Sequence, residues 1–490
     1  MENLLSFLIL SPVCMAIGAF FLRKKWRSIH TYIGATTLWY ALLTFLAIYA
    51  LREVIFWSQT FQRWEFLFVN QTNAIFIVLI MSLSFVINYY AGTYFKREVA
   101  QHHTLGHDKD VTIGYGRLSQ YPILSNMFIF SMLFVALSNN LISMWIGLEA
   151  TTIFTTFLIS MYGSQTSREA AWKYTIICSV GLTVWLFGLF LMLYSGLPTL
   201  DVSYSLAHAV DIGTVNASLL QFAFLVVVIG LWTKAAFFPV NTWLPDAHGK
   251  APSPISAFMS SILLPLALYV IIRAKEIVDI VVPGFANNVL LIVGLVTLVY
   301  TGFTLLQQKH FKRALAYSSS EHIAIITLAF ALNAPLLAFA HLIFHSFVKA
   351  ASFMSAGNIL LELGSWQFKN IKNIFSYMKY TPLLLIVSLI FLMWIPPSYL
   401  FVTEIWLIVT AYSQSIRIAL VITVALLLAT SGLFLNFWKM FEAESEEEPL
   451  TIKRCEEDFH RNTLHQSLLI TLLFPVLFIV LASIGFGRWG

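Results

Sequence analysis

LLQFAFLVVVIGLWTKAAFFPVNTWLPDAHGKAPSP (219–254) decides the fold. Its first half is an apolar run of spanning length, since a bilayer takes about 20 helical residues to cross. Lys234 lies near the end of that run, and after Pro239 the chain turns polar. A lone ammonium near the centre of a spanning helix costs roughly 2.5–3.5 kcal/mol on insertion scales. Such residues face a bundle interior or a wet cavity and by default mark an ion or proton path. The proline and the polar string predict a spanning helix that breaks, which lipid tolerates only where the opened backbone is buried or lines a cavity. The stretch reads as part of a protein that moves cations across a membrane.

The rest of the chain agrees. Of 490 residues 59% are hydrophobic and 11% charged, with mean hydropathy +0.79, so the charge of a soluble surface is missing. Apolar stretches predict an all-α polytopic protein of about fourteen spans, the eighth at 252–272, the tenth at 318–333, the twelfth at 382–410 and the last at 465–485. Met1-Glu2-Asn3 has no basic character and no cleavage site follows, so the first apolar run reads as a retained span. Alternating spans put 21 of the 29 Lys and Arg on one side, beginning with RKKWR (23–27), and six on the other. The positive side is expected to be the cytoplasm, with both termini outside and the protein in a bacterial or archaeal cytoplasmic membrane.

Other classes find no support. The net charge of +5 follows from the loop bias and needs no nucleic acid. Cys14, Cys178 and Cys455 lie far apart and suggest neither a disulfide framework nor an iron–sulfur ligand set. No glycine-rich phosphate loop occurs, and no cofactor is expected. The acid run EAESEEEPL (442–450) reads as a solvated segment, with docking to a basic partner as the alternative.

The twelfth span echoes the seventh: Pro396-Pro397 interrupt it and Glu404 follows. Interrupted helices five spans apart, each with one ionisable residue, point to a transporter built from repeats, and an odd number of helices per unit inverts the second copy. The expected divisions are an N-terminal three-helix segment and loop (1–120), a first five-helix repeat (121–272), an inverted second (286–440), and an acidic loop with the last helix (441–490).

Further ionisable residues fall within spans. Glu149 needs a partner or a proton. His341, His345 and Lys349 recur every four residues along one helix face. Glu321 and His322 open the tenth span, where their helical divergence lets one of them face a common seam easily. Lys173 begins the sixth span beside Arg168, either on the path or snorkelling at a helix end. Glu321 has an alternative as a cap with Ser318–Ser320, and each histidine as an interior hydrogen-bonder. A metal ligand pair at His341 and His345 lacks a third ligand, so no metal is expected. Asp246 and His248 in the polar break either fix the loop or take up protons.

TKAAFFPVNTWLPDAHGKAPSPISA, YSSSEHIAII, HLIFHSFVKAASFMSAGNIL and IPP followed by TE resemble the proton-conducting membrane subunits shared by complex I, group 4 hydrogenases and multi-subunit cation/proton antiporters. EATTIFTTFLIS, EAAWKYTIICSVGL and DAHGKAPSP are most similar to the F-type membrane subunits of hydrogenase-4 and formate hydrogenlyase. The resemblance covers most of 121–440. It implies two inverted repeats with broken helices 7 and 12, and proton transfer through Glu149, Lys234, Lys349, Glu404 and His345. Lys234 is then expected to pair with Glu149 or to pass its proton toward Lys349 and Glu404. Pro265 stands where many relatives have a lysine in the eighth helix, so the central relay needs water, His322, His345 or Lys349. The implied role is proton translocation within an oxidoreductase complex, with other membrane subunits and a redox partner. The alternatives are a cation-driven transport partner, in an antiporter or with an inorganic-carbon-processing protein, and an inert scaffold. Carboxylates and lysines without an oxygen cage favour protons, with sodium left open.

Overall fold

The computed structural model describes residues 2–23, 26–57, 61–63, 67–104, 115–203, 215–378 and 380–442. The expected span at 465–485, the acid run beyond Glu442 and Cys455 lie outside them. Three helices open the chain: α1 (Glu2–Leu22), α2 (Trp26–Trp57) and α3 (Gln71–Thr104). A two-stranded antiparallel ribbon, Phe61–Arg63 with Leu67–Val69, joins the last two. Then come α4 (Tyr121–Leu137), α5 (Leu141–Ile159), α6 (Gln165–Tyr194), α7 (Ala217–Ala235) and the short α8 (Trp243–Lys250). Helix α9 (Ser253–Phe258) continues through a π turn (Met259–Leu263) into α10 (Leu264–Val281). The rest are α11 (Phe285–Leu306), α12 (Phe311–Ala331), α13 (Pro335–Leu363), α14 (Thr381–Leu392), α15 (Tyr399–Gln414) and α16 (Ile416–Trp438). Ten of the described helical stretches are long and apolar enough to cross a membrane, and three shorter apolar helices accompany them.

Two shells organise the bundle. The α9–α10 rod and α12 are enclosed along their most apolar stretches, and α3 and α13 nearly so, whereas α2, α6 and α16 keep much of their surface outside. Outward residues include Phe45, Trp172, Phe187, Leu420 and Phe434. Outward apolar side chains of this kind suit lipid tails. Small residues let helices close in: a Cβ on Gly230 of α7 would stand 2.4 Å from the Trp185 backbone nitrogen of α6.

The loops sort to two ends. Lys173, Asp246, Lys250, His310, Arg313 and Trp366 line a cavity of about 490 Å³ at one end. Asn70, Lys275, Glu276, Asn333 and Pro335 line a second one at the other end. Segments expected on one side of the membrane therefore meet one another, from the third span to the eleventh.

Several boundaries differ from the sequence reading, because charges taken for loop residues are packed inside. The tenth span starts at Phe311, not 318. Lys312 is buried in its first turn, donating to the Ala251 carbonyl at 2.9 Å with its ammonium over the Trp366 ring. Glu321 and His322 consequently lie mid-helix, so Glu321 caps no helix start. The eighth span runs on to Val281, past a fully buried Arg273 that bonds Asn70 and Glu276, each at 2.7 Å. The π turn precedes Pro265, whose missing N–H and ring disturb the regular ladder one turn back.

Candidate functional site

Lys234 occupies the last turn of α7, where no part of its side chain reaches the surface. Its Nζ donates to Thr152 Oγ1 of α5 at 2.8 Å and to Tyr174 OH of α6 at 2.6 Å. The ammonium also lies 4.9 Å from the Tyr174 ring centroid. Glu149, one helical turn before Thr152 on α5, is half-buried and accepts a 2.8 Å hydrogen bond from Ser179 Oγ. No Lys234–Glu149 ion pair forms within 4.0 Å among the described residues; hydroxyls contact the ammonium instead. The buried thiol of Cys178 and the Glu149 carboxylate are both within electrostatic reach of it.

Beyond Ala235 the helix stops. Ala236 adopts φ 59° and the next helical residue is Trp243. Side chains from other helices take up the opened backbone. Ser320 Oγ of α12 donates to the Ala236 carbonyl at 2.6 Å. Trp243 Nε1 donates to the Thr233 carbonyl at 2.7 Å, and the Phe238 N–H to Thr297 Oγ1 at 3.2 Å. The serines of YSSSEH thus join the break to the core: Ser319 pairs with Ser260 of the π turn at 2.7 Å, and Asn241 approaches Ser320 at 3.5 Å.

Glu321 follows Ser320 directly and faces Lys349 of α13, whose Nζ donates to the Leu315 carbonyl at 3.1 Å. One residue further, His322 Nδ1 is 3.0 Å from His341 Nε2 and 3.9 Å from Glu404 Oε1 of α15. The His345 ring lies 5.1 Å from that of His322, with the Ser260 backbone beside it and neither nitrogen in a formed hydrogen bond. All of these side chains are buried. Glu321 and His322 therefore both reach the seam. Helical divergence sends them to different partners, α13's lysine for one and the α13–α15 cluster for the other.

Toward the basic end, His248 of α8 is enclosed, stacked on Phe353 at 4.9 Å, with Lys312 and Lys349 as its charged neighbours. Lys312 in turn faces Glu98 of α3, which sits with Tyr94 and Tyr162. Lys173 stands apart from the buried groups. It pairs with Asp246 at 2.6 Å on the rim of the cavity, and Asp246 also holds Arg313 at 3.0 Å. Burial, then Arg313, Lys250 and Lys309, hold the His310 imidazole there below its usual range.

Thr152, Tyr174, Cys178, Glu98 and Lys312 were missed from sequence. Spacing carried part of the signal. Thr152 falls three residues after Glu149 and shares its face, and Tyr174 and Cys178 are four apart. Glu98 and Lys312 sat in stretches rich in charge and read as loops.

Comparison with known proteins bears on the family and the fold. The family described as NADH:quinone oxidoreductase/Mrp antiporter, TM, matches residues 138–431. A hydrogenase-4 component F homolog of Methylacidiphilum infernorum (isolate V4) is 29% identical over 76% of this chain and 78% of its own length. The NADH-quinone oxidoreductase subunit L of Escherichia coli (strain K12) is 30% identical, over 73% of this chain and 58% of its own. Among solved structures, a chain of the membrane-bound sulfane sulfur reductase, an archaeal respiratory membrane complex, has the same fold, with TM-score 0.82 at 21% identity, covering 98% of this chain and 96% of that one. A chain of the Mrp complex from Dietzia sp. DQ12-45-1b gives 0.79 at 18% identity, with the same coverage. With more than half of its length matched, the chain belongs to the family of transmembrane subunits shared by NADH:quinone oxidoreductases and Mrp antiporters.

Proposed function

We propose that this chain translocates protons along the buried seam from Lys234 through Ser320, Glu321, Lys349 and His322 to Glu404, as a subunit of a multi-subunit oxidoreductase complex of hydrogenase-4 or complex I type. That it is a proton-translocating membrane subunit rests on the family and on its relatives. One observation supports the route: Lys234, Glu321, Lys349, His322 and Glu404, from α7, α12, α13 and α15, are all buried, with Glu321 facing Lys349 and His322 3.9 Å from Glu404. Where Pro265 replaces a protonatable residue, Ser260, Ser319, Ser320 and Asn241 supply hydroxyls and an amide. Buried donors and acceptors without protein partners, including both His345 nitrogens, His322 Nε2 and Glu404 Oε2, continue the line. Leaving such groups dry costs about 1–3 kcal/mol each, so water shares the path with them.

The seam divides into two units. Helices α4 to α10 and α11 to α16 are the two inverted five-span repeats (121–272 and 286–440), and the gaps 236–242 and 393–398 are the breaks in spans seven and twelve. In both units successive helices pack on their neighbours in the same order. The magnitudes suit the task. Hydrogen bonds to a charged group contribute about 1.5–3 kcal/mol each, so the Thr152 and Tyr174 bonds together rival the roughly 3.5 kcal/mol needed to move one charge against about 150 mV. Releasing Lys234 from both is the right size of step.

Partners are other membrane subunits, with any electron transfer outside this chain. Asp246 in the cavity, with Lys173 at its rim, takes protons from the cytoplasm, and the enclosed His248 of the same helix α8 passes them inward. The test is proton uptake by vesicles carrying the complex: Lys234→Ala and Glu404→Gln each abolish uptake while the complex still assembles. Wild-type uptake in an assembled Lys234→Ala complex would remove this route.

A further inference from the structure

The far end of the seam holds a second arrangement of atoms. His322 of α12, His341 of α13 and Glu404 of α15 each offer one ligand atom, all within 4.8 Å of one another. His322 Nδ1 lies 3.0 Å from His341 Nε2 and 3.9 Å from Glu404 Oε1. Two ligands on a tetrahedral zinc, at about 2.0–2.1 Å each, stand roughly 3.3 Å apart, and the two separations straddle that value. Hydrogen bonding fixes the lone pairs. Thr403 Oγ1 donates to the Leu400 carbonyl at 2.8 Å, so it accepts from His341 Nδ1, also at 2.8 Å. His341 Nε2 is then the bare nitrogen, aimed at the other two ligands. Outer partners of this kind orient metal-bound histidines.

We propose that His322, His341 and Glu404 form a binding site for a divalent transition metal of the zinc type, with an open fourth position, and that its occupation arrests proton passage. Two imidazoles and one carboxylate favour zinc over the hard cations calcium and magnesium. The set escapes a sequence pattern because its members come from three helices; His345, one turn from His341, stays outside it. Metal and proton compete for the same nitrogens and the same carboxylate.

The probe is Co²⁺, added to the full chain purified through a tag without histidine, with bound metal counted by mass spectrometry and coordination read from visible absorption. Wild type is expected to hold Co²⁺ with the absorption of a four-coordinate site and to lose it to Zn²⁺. His322→Ala and His341→Ala abolish the signal; His345→Ala and Lys234→Ala keep it, with circular dichroism confirming the fold of each. Thr403→Val weakens binding by about 10–100-fold. No Co²⁺ on wild type, or undiminished binding by folded His341→Ala, overturns the site. Proton uptake unaffected by Zn²⁺ on a metal-loaded wild type overturns the arrest, which rests on the proposed route. The binding readout is independent of that route, so the two can fail separately.

Discussion

Lys234 is held by hydroxyls, and this changes what a substitution there means. An ammonium has three donors, of which Thr152 and Tyr174 take two. Tyr174→Phe keeps the ring beneath the charge and removes one charge-assisted bond. The uptake rate is expected to change by on the order of tenfold, since about 1.4 kcal/mol is a factor of ten, with melting in detergent nearly unchanged. An uptake rate equal to wild type would place the working state of Lys234 away from Tyr174. His310 gives a prediction of the other kind. Its imidazole is held below its usual range, so the folded protein binds fewer protons than the unfolded chain once pH drops below about 6.5. The stability it confers is complete above that pH and is lost as pH falls toward the folded value. Thermal melting from about pH 7.5 down to pH 5.5 should fall less steeply in His310→Gln than in wild type. Parallel curves would show that His310 contributes nothing.

Element by element, the membrane helices are positioned by close backbone approach, and this makes glycine pairs sensitive. A Cβ on Gly230 would meet Trp185 N at 2.4 Å and Gly181 O at 2.6 Å, both backbone atoms of α6 that cannot swing aside. Gly230→Ala therefore has to separate α6 from α7 and is expected to cost about 1–3 kcal/mol. Thermal shift in detergent should report this as a lower melting point. Lys234 stands one turn further on, so uptake falls as well. Gly34→Ala on α2 is the control: nothing lies within 4 Å of its added Cβ. It should be neutral, or stabilising by up to about 1 kcal/mol through helix propensity. Equal losses in the two variants would mean that packing at Gly230 is ordinary. Sequence could show that helices cross here but not which pairs touch. Apolar length alone marked ten helices long enough to cross a membrane, and the prolines at 239 and 396–397 fall where helices stop. What stayed hidden were charges satisfied by distant segments. Arg273 is bonded to Asn70, and Lys312 to the carbonyl of Ala251; each reads locally as a helix end and is in fact interior. The same limit explains the site. Residues spaced along one helix, His341, His345 and Lys349, were legible, whereas Thr152, Tyr174 and Thr403 matter through partners on other helices.

At the scale of the whole molecule, two polar ends flank an apolar girdle, and the proposed direction of proton movement depends on which end faces the cytoplasm. One end gathers Lys173, Lys250, Lys312 and Arg313, against Glu169 and Asp246. The other gathers Lys275 with Glu276 among neutral residues. Positive loops stay inside, so the first cavity is expected to open to the cytoplasm. Single cysteines in a background without Cys14, Cys178 and Cys455 test this. An impermeant maleimide applied to intact cells should label Asn333→Cys, beside the second cavity, and should label Lys309→Cys only after the membrane is opened. The opposite pattern would turn the molecule over and put the Asp246 cavity at the proton exit. Labelling of both sites from one side would break the alternation of spans itself, and with it the two proposed inverted units. Those units need an odd number of crossings between the helix break that follows Lys234 and the one that precedes Glu404.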